Sequence, residues 1–390
     1  MRILQVITGL SRAAGTSVFC ADLSNELVSA GHDVTIAVNN PLAKDHCNLD
    51  PKVKVIAIPS ILNPSTFCLS PFTFHLVHLH ALWAPILHRV AKWARVNRVP
   101  IVWSPHGMIT HWAMNNKRLK KLLGWYLYQK RDLQYATLLH ATAESEVDDI
   151  RRMGLKNKIV IVPLGVGMED REEVRGEKVK VKENGDERTL LFVSRVQRKK
   201  GLPNLIKAWS KLSPEVKKGW QVRIVGPDQD NHTAELEHLC DALNITWEDR
   251  SSRWPNHPGA HLLSGPDIIF VGPKFGNELV AEYDTADLFV LPTHSENFGA
   301  VVIESLAHDV PVICTKGAPW KELETARCGR WIDIGVEPLV VALTELMSLS
   351  DAARHEMGTR GRKLAGEKYS WSAICRKMVE GYEMLRKVAM

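Results

Sequence analysis

Short apolar runs alternate with longer stretches of helical periodicity along most of the chain. In the first half, the runs that predict strands lie at 2–8, 33–38, 52–59, 75–80, 100–105, 136–143 and 158–163. In the second half they lie at 190–194, 222–225, 268–271, 288–291, 312–314 and 330–334. A helical pattern separates most successive strands, and such units form parallel sheets with helices on both faces. The pattern therefore predicts an α/β protein.

A change in composition near the middle divides this alternation into two series. Residues 165–188 are rich in charge and glycine, which is typical of a linker. The chain of 390 residues also exceeds the size that one core usually supports. We predict a first domain at 1–168, a linker at 169–188, a second domain at 189–370 and a last helix at 371–390 that crosses back to the first domain. Two doubly wound, Rossmann-like domains facing each other across a cleft would bind a ligand between their sheets.

One segment, at 245–266, interrupts the rhythm of the second series. Its part at 247–261 contains two tryptophans, two arginines and two prolines. Loops of this length are often functional, but a surface excursion explains the segment as well. Its role stays open at this point.

Composition and charge narrow the class of protein. An apolar content of 45% and a charged content of 24% are typical of soluble proteins. No apolar run reaches the ~18 residues of a membrane span and the N-terminus lacks the features of a signal peptide, so we expect a cytoplasmic protein. Residues 1–165 carry 19 Lys and Arg against 10 Asp and Glu, a net +9, whereas the remainder carries −3. The first half is therefore expected to meet an anionic partner.

The cysteines and histidines give weak signals for a metal. The seven cysteines are scattered and include no Cys-x-x-Cys pair, as expected of reduced, mostly buried thiols. Four histidines lie close together in the sequence, namely His75, His78, His80 and His88. A metal site would need further ligands converging on one point, and ordinary strand-end histidines explain the pattern as well.

A basic turn opens the second series. Arg195 follows a strand, Lys200 ends the next loop, and Gly201 lets the backbone bend into a helix whose first turn contains Pro203. The free N–H groups of such a turn, with an arginine fork and a lysine, suit a diphosphate. The alternative is a solvated basic turn.

Two glutamates flank the start of a later helix. Glu296 lies in the loop after the strand at 288–291, and Glu304 lies eight residues later on an almost entirely apolar helix. Because a buried carboxylate costs several kcal/mol without a partner, Glu304 requires a ligand or a protein group beside it. In the first series, His106 follows a strand and precedes Gly107, a position from which its ring can reach a ligand.

The order of these features resembles that of the retaining glycosyltransferases of family four, which have the GT-B fold. Arg195, Lys200, the strand end Phe270-Val-Gly-Pro273 and the pair Glu296 and Glu304 carry the resemblance, which spans essentially the whole chain. It implies a nucleotide-sugar donor between the two domains, with no metal or other cofactor required. It also implies that Arg195 and Lys200 grip the diphosphate.

The same resemblance implies roles for the remaining positions. Glu296 and the amides after Asn297, at Phe298 and Gly299, would hold hydroxyls of the transferred sugar, and Glu304 would hold the ribose. The nucleobase would lie against Phe270, Val271 and Pro273. His106 would face the donor sugar, and Gly15 would approach the diphosphate or the acceptor. Here the chain has Ala14-Gly15 in place of the usual paired glycines, so the acceptor contact stays open.

The function implied is transfer of a hexose-type sugar to a glycan acceptor, lipid-linked, in surface polysaccharide or O-antigen biosynthesis. Epimerisation of a nucleotide sugar, or its reversible synthesis, is the alternative on the same fold, and a non-catalytic nucleotide-sugar binder is a third possibility. A nicotinamide dehydrogenase does not fit, because the first strand leads into Gly9-Leu-Ser-Arg-Ala-Ala-Gly15, which lacks the Gly-x-Gly-x-x-Gly pattern.

A basic helix is predicted at 117–131. Its apolar stripe comprises positions 119, 122, 123, 126 and 127, with lysines and arginines on either side and Trp125 and Tyr128 near the edge. This composition suits an anionic membrane surface, which leads us to expect peripheral attachment. Packing of the stripe on the first sheet is an equally good explanation.

Overall fold

The computed structural model describes residues 1–11, 14–39, 47–58, 74–115, 118–168, 187–251 and 265–388. These residues form two compact units. The first comprises Met1–Gly165 with Ser370–Met390, and the second comprises Val166–Tyr369. Most of the predicted linker at 169–188 and of the segment at 245–266 lies outside the described residues.

The first unit is built on a parallel sheet of seven described strands. Strands β1 to β7 are Arg2–Val6, Asp33–Val38, Lys54–Ala57, Leu76–His80, Ile101–Ser104, Leu138–Ala141 and Ile159–Ile161. Their order is β3-β2-β1-β4-β5-β6-β7, so the winding reverses between β1 and β4. At such a reversal the connections leave in opposite directions and open a crevice at the carboxyl ends of the strands.

Helices cover both faces of this sheet, and each face has its own apolar core. The helices α1 to α6 are Gly15–Ser29, Pro85–Val96, His111–Asn115, Arg118–Gly124, Lys130–Tyr135 and Glu144–Arg152, and the π-helix Trp125–Gln129 joins α4 to α5. The C-terminal helix, Trp371–Val388, packs beside α1, where Ile374, Met378 and Tyr382 enter the core. The last helix therefore completes a core formed mainly by the start of the chain.

The second unit repeats this design with its own parallel sheet. Strands β8 to β14 are Arg188–Val193, Trp220–Val225, Trp247–Asp249, Ile268–Gly272, Leu288–Leu291, Val312–Thr315 and Gly329–Ile332. Their order is β10-β11-β9-β8-β12-β13-β14, with the reversal between β8 and β12. The sequence prediction missed β10, because its residues Trp-Glu-Asp show no apolar run and, among the described strands, it pairs with β11 alone.

The second unit is likewise covered by helices. Helices α7 to α14 are Leu202–Lys211, Pro214–Lys217, His232–Ala242, Asn277–Thr285, Ala300–Ala307, Glu322–Thr325, Val336–Met347 and Asp351–Leu364. A 3₁₀ turn, Arg198–Lys200, precedes α7, and a π-helix, Ala365–Tyr369, follows α14. The structure confirms the predicted α/β architecture with two parallel sheets.

Cysteines and membrane spans add little to this picture. Six cysteines are described, and all six are buried free thiols. Cys68 lies outside the described residues. No described helix is both long enough and apolar enough to cross a bilayer.

Candidate functional site

The loops after β8 and β12 meet at the reversal point of the second sheet. The Lys199 carbonyl accepts hydrogen bonds from the His294 N–H at 2.9 Å and from Thr293 Oγ1 at 3.2 Å. Gly201 has φ +72°, and a Cβ there would lie 2.0 Å from the Pro292 carbonyl oxygen. Only glycine fits between the two loops, so this residue fixes how closely they approach.

Four charged residues lie around this junction, and we call them the charged cluster: Arg195, Lys199, Lys200 and Glu296. Lys200 Nζ donates a hydrogen bond to Glu296 Oε1, and the two side chains are only 9% and 14% exposed. Thr293 Oγ1 lies 3.5 Å from the same oxygen. The sequence predicted Lys200 and Glu296 separately, and the fold places them in contact.

The remaining members add positive charge. Arg195 is exposed, and its guanidinium donates to Gln229 Oε1 at 3.1 Å. Burial lowers the pKa of Lys199; Glu296 raises it, and Lys200 and Arg195 lower it further. Three cations thus stand against one carboxylate, which leaves the cluster with a net positive charge suited to an anionic ligand.

The loop that carries Glu296 is held by backbone contacts. The Glu296 N–H donates to the Gly317 carbonyl at 2.6 Å, and Trp320 Nε1 donates to the Phe298 carbonyl at 2.6 Å. Gly299, at φ +83°, then turns the chain into α11. Asn297 and Gly299 are half-buried, while the Phe298 ring packs on Trp320 with ring centroids 4.9 Å apart. The predicted donor-binding loop is therefore a fixed turn at the N-terminus of a helix.

Glu304 has a protein partner. The Tyr283 hydroxyl donates to Glu304 Oε2 at 2.7 Å. Burial raises the pKa of the Glu304 carboxyl, and the hydrogen bond from Tyr283 lowers it in part. The other oxygen, Oε1, makes no hydrogen bond to the described residues. Tyr283 thus supplies part of the hydrogen bonding that the buried carboxylate of Glu304 was expected to need.

The predicted nucleobase contacts differ in exposure. Phe270 and Val271 lie in the second half of β11 and are 2% and 8% exposed, with the Phe270 ring edge-on to that of Trp247 and the ring centroids 6.2 Å apart. Pro273, two residues later, is exposed. Of the three side chains, that of Pro273 is open to solvent.

In the first unit, His106 lies at the start of the turn after β5. It has φ +51°, an unusual value for a residue with a Cβ, and its Nε2 lies 3.1 Å from His80 Nδ1. The following Gly107 N–H donates to the buried carboxylate of Glu146 at 2.6 Å, which holds the turn. Gly15 is exposed at the first turn of α1, where Ser17 Oγ donates to the Gly9 carbonyl at 2.9 Å.

Histidines of the first unit group differently from the sequence prediction. His75 accepts a hydrogen bond from the Arg2 N–H at 2.9 Å, and His88 contacts Asp132 at 2.6 Å. His78 and His80 instead lie near His106 and His140. Within the described ranges, no three His, Cys, Asp or Glu side chains are arranged to hold a metal ion.

Family models match most of the chain. Residues 13–170 match Glycosyltransferase Family 4, and residues 187–348 match Glycosyl transferases group 1. The chain belongs to glycosyltransferase family 4.

Similar proteins of this family include a D-inositol 3-phosphate glycosyltransferase of Xylanimonas cellulosilytica, 22% identical over 97% of this chain and 94% of the relative. The capsular polysaccharide biosynthesis glycosyltransferase CapM of Staphylococcus aureus is 25% identical over 67% of this chain and 65% of its own. Among solved structures, Anabaena HepE in complex with UDP and glucose superimposes with a TM-score of 0.72 at 13% identity, covering 98% of this chain and 99% of that chain. The fold of this glycosyltransferase is therefore GT-B.

Several residues around the site of this family 4 glycosyltransferase were not predicted. The contacts of Lys199 and Thr293 are made through a backbone carbonyl and a hydroxyl, which carry no distinctive sequence pattern. The glycine at position 317 is a visible sequence feature, and the structure explains it: a Cβ there would lie 2.3 Å from the Thr293 carbonyl oxygen. Tyr283 is polar only at its hydroxyl, and its contact with Glu304 joins two separate helices.

Proposed function

We propose that this chain is a retaining glycosyltransferase that moves a hexose-type sugar from a nucleotide-diphosphate donor to a glycan acceptor. The acceptor would be lipid-linked, in surface polysaccharide or O-antigen biosynthesis. The observation that carries the proposal is the charged cluster at the reversal point of a parallel sheet, where Lys200 pairs with Glu296 and Lys199 interacts electrostatically with Glu296, Lys200 and Arg195. A diphosphate supplies the negative charge that this cluster lacks.

The reaction follows from where charge develops. The bond between the anomeric carbon and the diphosphate oxygen breaks, and the acceptor hydroxyl oxygen bonds to the same face of that carbon. The acceptor's proton passes to the leaving diphosphate oxygen. Arg195 and Lys200 stabilise the charge that grows on the diphosphate, and a preorganised donor of this kind is worth roughly 3–4 kcal/mol. No metal is needed in this scheme, because the two side chains supply the positive charge.

Other residues would orient the donor. Glu296 would accept hydrogen bonds from hydroxyls of the sugar, and the backbone amides after Asn297 would donate to the hydroxyl oxygens. Glu304 Oε1 would accept a hydrogen bond from a ribose hydroxyl, while Oε2 keeps its hydrogen bond from Tyr283. The base would lie near Phe270, Val271 and Pro273, with Pro273 presenting the exposed side chain. In the first unit, His106 would contact the sugar, and Gly15 would approach the diphosphate or the acceptor. HepE, whose solved complex holds UDP and glucose, supports a nucleotide-sugar donor.

A donor screen tests this proposal. The protein is heated with a panel of uridine, guanosine and adenosine diphosphate sugars, and the correct donor raises the melting temperature through binding to the native state. Incubation of that donor with candidate acceptors should then give a product of unchanged anomeric configuration by proton NMR, with or without EDTA. Failure of every nucleotide sugar to stabilise the protein, or inversion of the anomeric centre, would contradict the proposal.

Product analysis distinguishes the alternative reactions. An epimerase would return an isomerised nucleotide sugar with no acceptor present, and a reversible synthase would release the nucleotide with a free sugar. A non-catalytic binder would return the donor unchanged. Only transfer links loss of the nucleotide sugar to growth of an acceptor.

The basic helix supports an anionic membrane surface as a partner. Leu119, Leu123, Tyr126 and Leu127 are 83%, 62%, 74% and 70% exposed, so the predicted stripe does not pack on the sheet at these positions. Trp125 is instead buried at 3% exposure, inside the core, and anchors the helix beside Trp83. The prediction that Trp125 lies near the edge is therefore wrong.

Charge favours lipid over another covering partner. From Arg118 to Arg131 there are five lysines or arginines and no acidic residue, and this basic stretch flanks the exposed leucines. An apolar stripe edged by cations fits an interface between acyl chains and anionic headgroups. We therefore propose that the enzyme attaches peripherally to the inner face of a membrane.

Vesicle flotation tests this placement. The protein should float with vesicles containing phosphatidylglycerol at low salt and not with pure phosphatidylcholine. Leu123→Asp should lower the partition coefficient by about tenfold or more, since burial of one leucine is worth about 1.5–3 kcal/mol. Val341→Asp is the matched control, because Val341 is 68% exposed in the other unit and should not matter. Equal flotation of both variants, or none for the wild type, would exclude the helix as the membrane contact.

A further inference from the structure

Four histidine rings of the first unit belong to one continuous line of hydrogen bonds. His78, His80 and His140 are fully buried, and His106 is half-buried at the outer end. Three other side chains link the rings, and we call the whole set the histidine chain: Gln5, His78, His80, Ser104, His106, His140 and Tyr382. The chain starts at the Val162 carbonyl, which His140 Nε2 approaches at 2.7 Å.

The starting carbonyl fixes the direction of the first bonds. A carbonyl oxygen can only accept, so His140 must carry its proton on Nε2. Its Nδ1 is then an acceptor, and the Ser104 hydroxyl, 2.6 Å away, must donate to it. The Ser104 hydroxyl has a single proton, which it donates to His140 Nδ1. His78 Nε2, 2.6 Å from Ser104 Oγ, must therefore be the donor in the next bond.

The same reasoning carries the direction across the sheet. His78 has its proton on Nε2, so its Nδ1 accepts from the Tyr382 hydroxyl at 2.7 Å. The Tyr382 oxygen is left to accept from Gln5 Nε2, which lies 3.5 Å away. That contact turns the Gln5 carbonyl oxygen towards His80 Nε2, at 2.6 Å, and His80 must donate to it. Tyr382, on the C-terminal helix, thus sets the orientation of a side chain on β1.

The last bond reaches His106. His80 has its proton on Nε2, so its Nδ1 is an acceptor, and His106 Nε2 must donate to it across 3.1 Å. His106 Nδ1 makes no hydrogen bond to the described residues and is not among the buried polar atoms that lack a partner. It is therefore an unprotonated nitrogen with access to a ligand.

These assignments require that each ring holds one proton. Burial lowers the pKa of His140 to about 4 and that of His106 to about 3, and it lowers the pKa of His78 and His80 well below the usual value. At neutral pH all four rings are uncharged, so each has one donor nitrogen and one acceptor nitrogen. A single direction then satisfies every contact.

We propose that the histidine chain fixes His106 in the Nε2–H tautomer and presents Nδ1 as a hydrogen-bond acceptor, with Gln5, His80 and Tyr382 as positioning residues. An acceptor at this point selects a ligand group that donates, such as a hydroxyl, and repels a phosphate oxygen. That the hydroxyl belongs to the donor sugar rests on the proposed function. The tautomer does not.

Nitrogen-15 NMR of the full-length protein tests the tautomer directly and needs no substrate. Histidine is labelled in both ring nitrogens, and single His→Gln variants assign the four rings. All four should show the proton on Nε2 and an unprotonated Nδ1. A proton on His106 Nδ1 in the wild-type protein would overturn the inference, whatever the enzyme transfers.

Tyr382→Phe tests the positioning role. It removes the hydroxyl that fixes the Gln5 amide, so His106 should become a mixture of both tautomers, and kcat/KM for the donor should fall about fivefold, mainly through KM. Tyr369→Phe is the matched control. Tyr369 is also a buried tyrosine whose hydroxyl donates a hydrogen bond, to Glu322, but it does not belong to the histidine chain. It should leave the His106 tautomer unchanged. A single Nε2–H tautomer in Tyr382→Phe would refute the role of Tyr382.

Discussion

In the first unit the polar groups behind His106 are neutral rings, hydroxyls and one amide, whereas around Glu296 in the second unit they are three cations and one carboxylate. The neutral chain is satisfied only if every hydrogen points one way, because each group has a limited number of donors. The charged cluster depends on net charge, and lysine can turn its three donors to any acceptor. The first arrangement therefore specifies one hydrogen-bond direction, while the second specifies the charge of the ligand.

The largest expected difference between the two units is how much stability each loses at acidic pH. The pKa of His78, His80 and His140 is lowered by burial, so below about pH 6.5 the unfolded state binds protons that the folded state does not. The free energy of unfolding then falls as pH falls, with a slope approaching about 1.4 kcal/mol per pH unit for each histidine. For His140 this loss ends near its folded pKa of about 4.

The second unit should not share this loss. Arg198 holds the pKa of the Glu235 carboxyl down to about 2, so that contribution persists until the pH falls below the usual range of a carboxyl. Hydrogen exchange of peptides from each unit, measured at pH 7.5 and 5.5 and corrected for intrinsic rates, compares them in one sample. His140→Gln should reduce the slope of the first unit. Equal acid sensitivity of the two units would break the comparison.

Removal of Lys200 should have the next largest effect, on activity. Lys200→Ala takes away a cation next to Glu296, and transfer should fall by about 10²- to 10³-fold, the usual cost of one preorganised donor. The fold should remain, as judged by circular dichroism. Lys211→Ala is the matched control, because Lys211 also pairs with a glutamate, Glu337, but both are largely exposed. Near-normal turnover in Lys200→Ala would remove the charged cluster from the mechanism.

The sequence predicted most of the fold because the buried parallel strands are continuous apolar runs. All thirteen predicted runs form strands among the described residues, but two features did not follow from the pattern. Strand β10, Trp247–Asp249, has two acids in three residues, and in the described part of the chain its one strand partner is β11. The π-helix Trp125–Gln129 turns Trp125 inward, which helical periodicity at 3.6 residues per turn does not anticipate.

The charged residues of the candidate site were easier to predict from the sequence than the neutral ones. Arg195, Lys200 and Glu296 stood out because charged residues follow apolar strands, and the fold brings Lys200 and Glu296 together. Histidines were grouped by sequence distance, as His75, His78, His80 and His88. The fold groups them across neighbouring strands β4, β5 and β6, where His80 pairs in register with Ser104 and His140 lies on the next strand. Contacts between strands depend on topology, and one sequence does not show them.

The smallest effect, on donor affinity, is expected at Glu304. Its contact with the Tyr283 hydroxyl is the part of the second unit most similar to the neutral hydrogen bonds of the first. Glu304→Gln keeps the size of the side chain and the bond to Tyr283 but removes the charge that would accept a ribose hydroxyl. A hydrogen bond to a charged group is worth about 1.5–3 kcal/mol, so the donor Kd measured by calorimetry should rise by about tenfold or more, with little change in kcat. Tyr283→Phe is the informative companion, because it leaves the carboxylate and removes its protein partner. If Glu304 binds the ribose, Glu304→Gln should weaken donor binding more than Tyr283→Phe does. If Glu304 serves only the packing of α11 on α10, both variants should lose the same amount of folding stability. The donor affinity of both variants would then stay at the wild-type value.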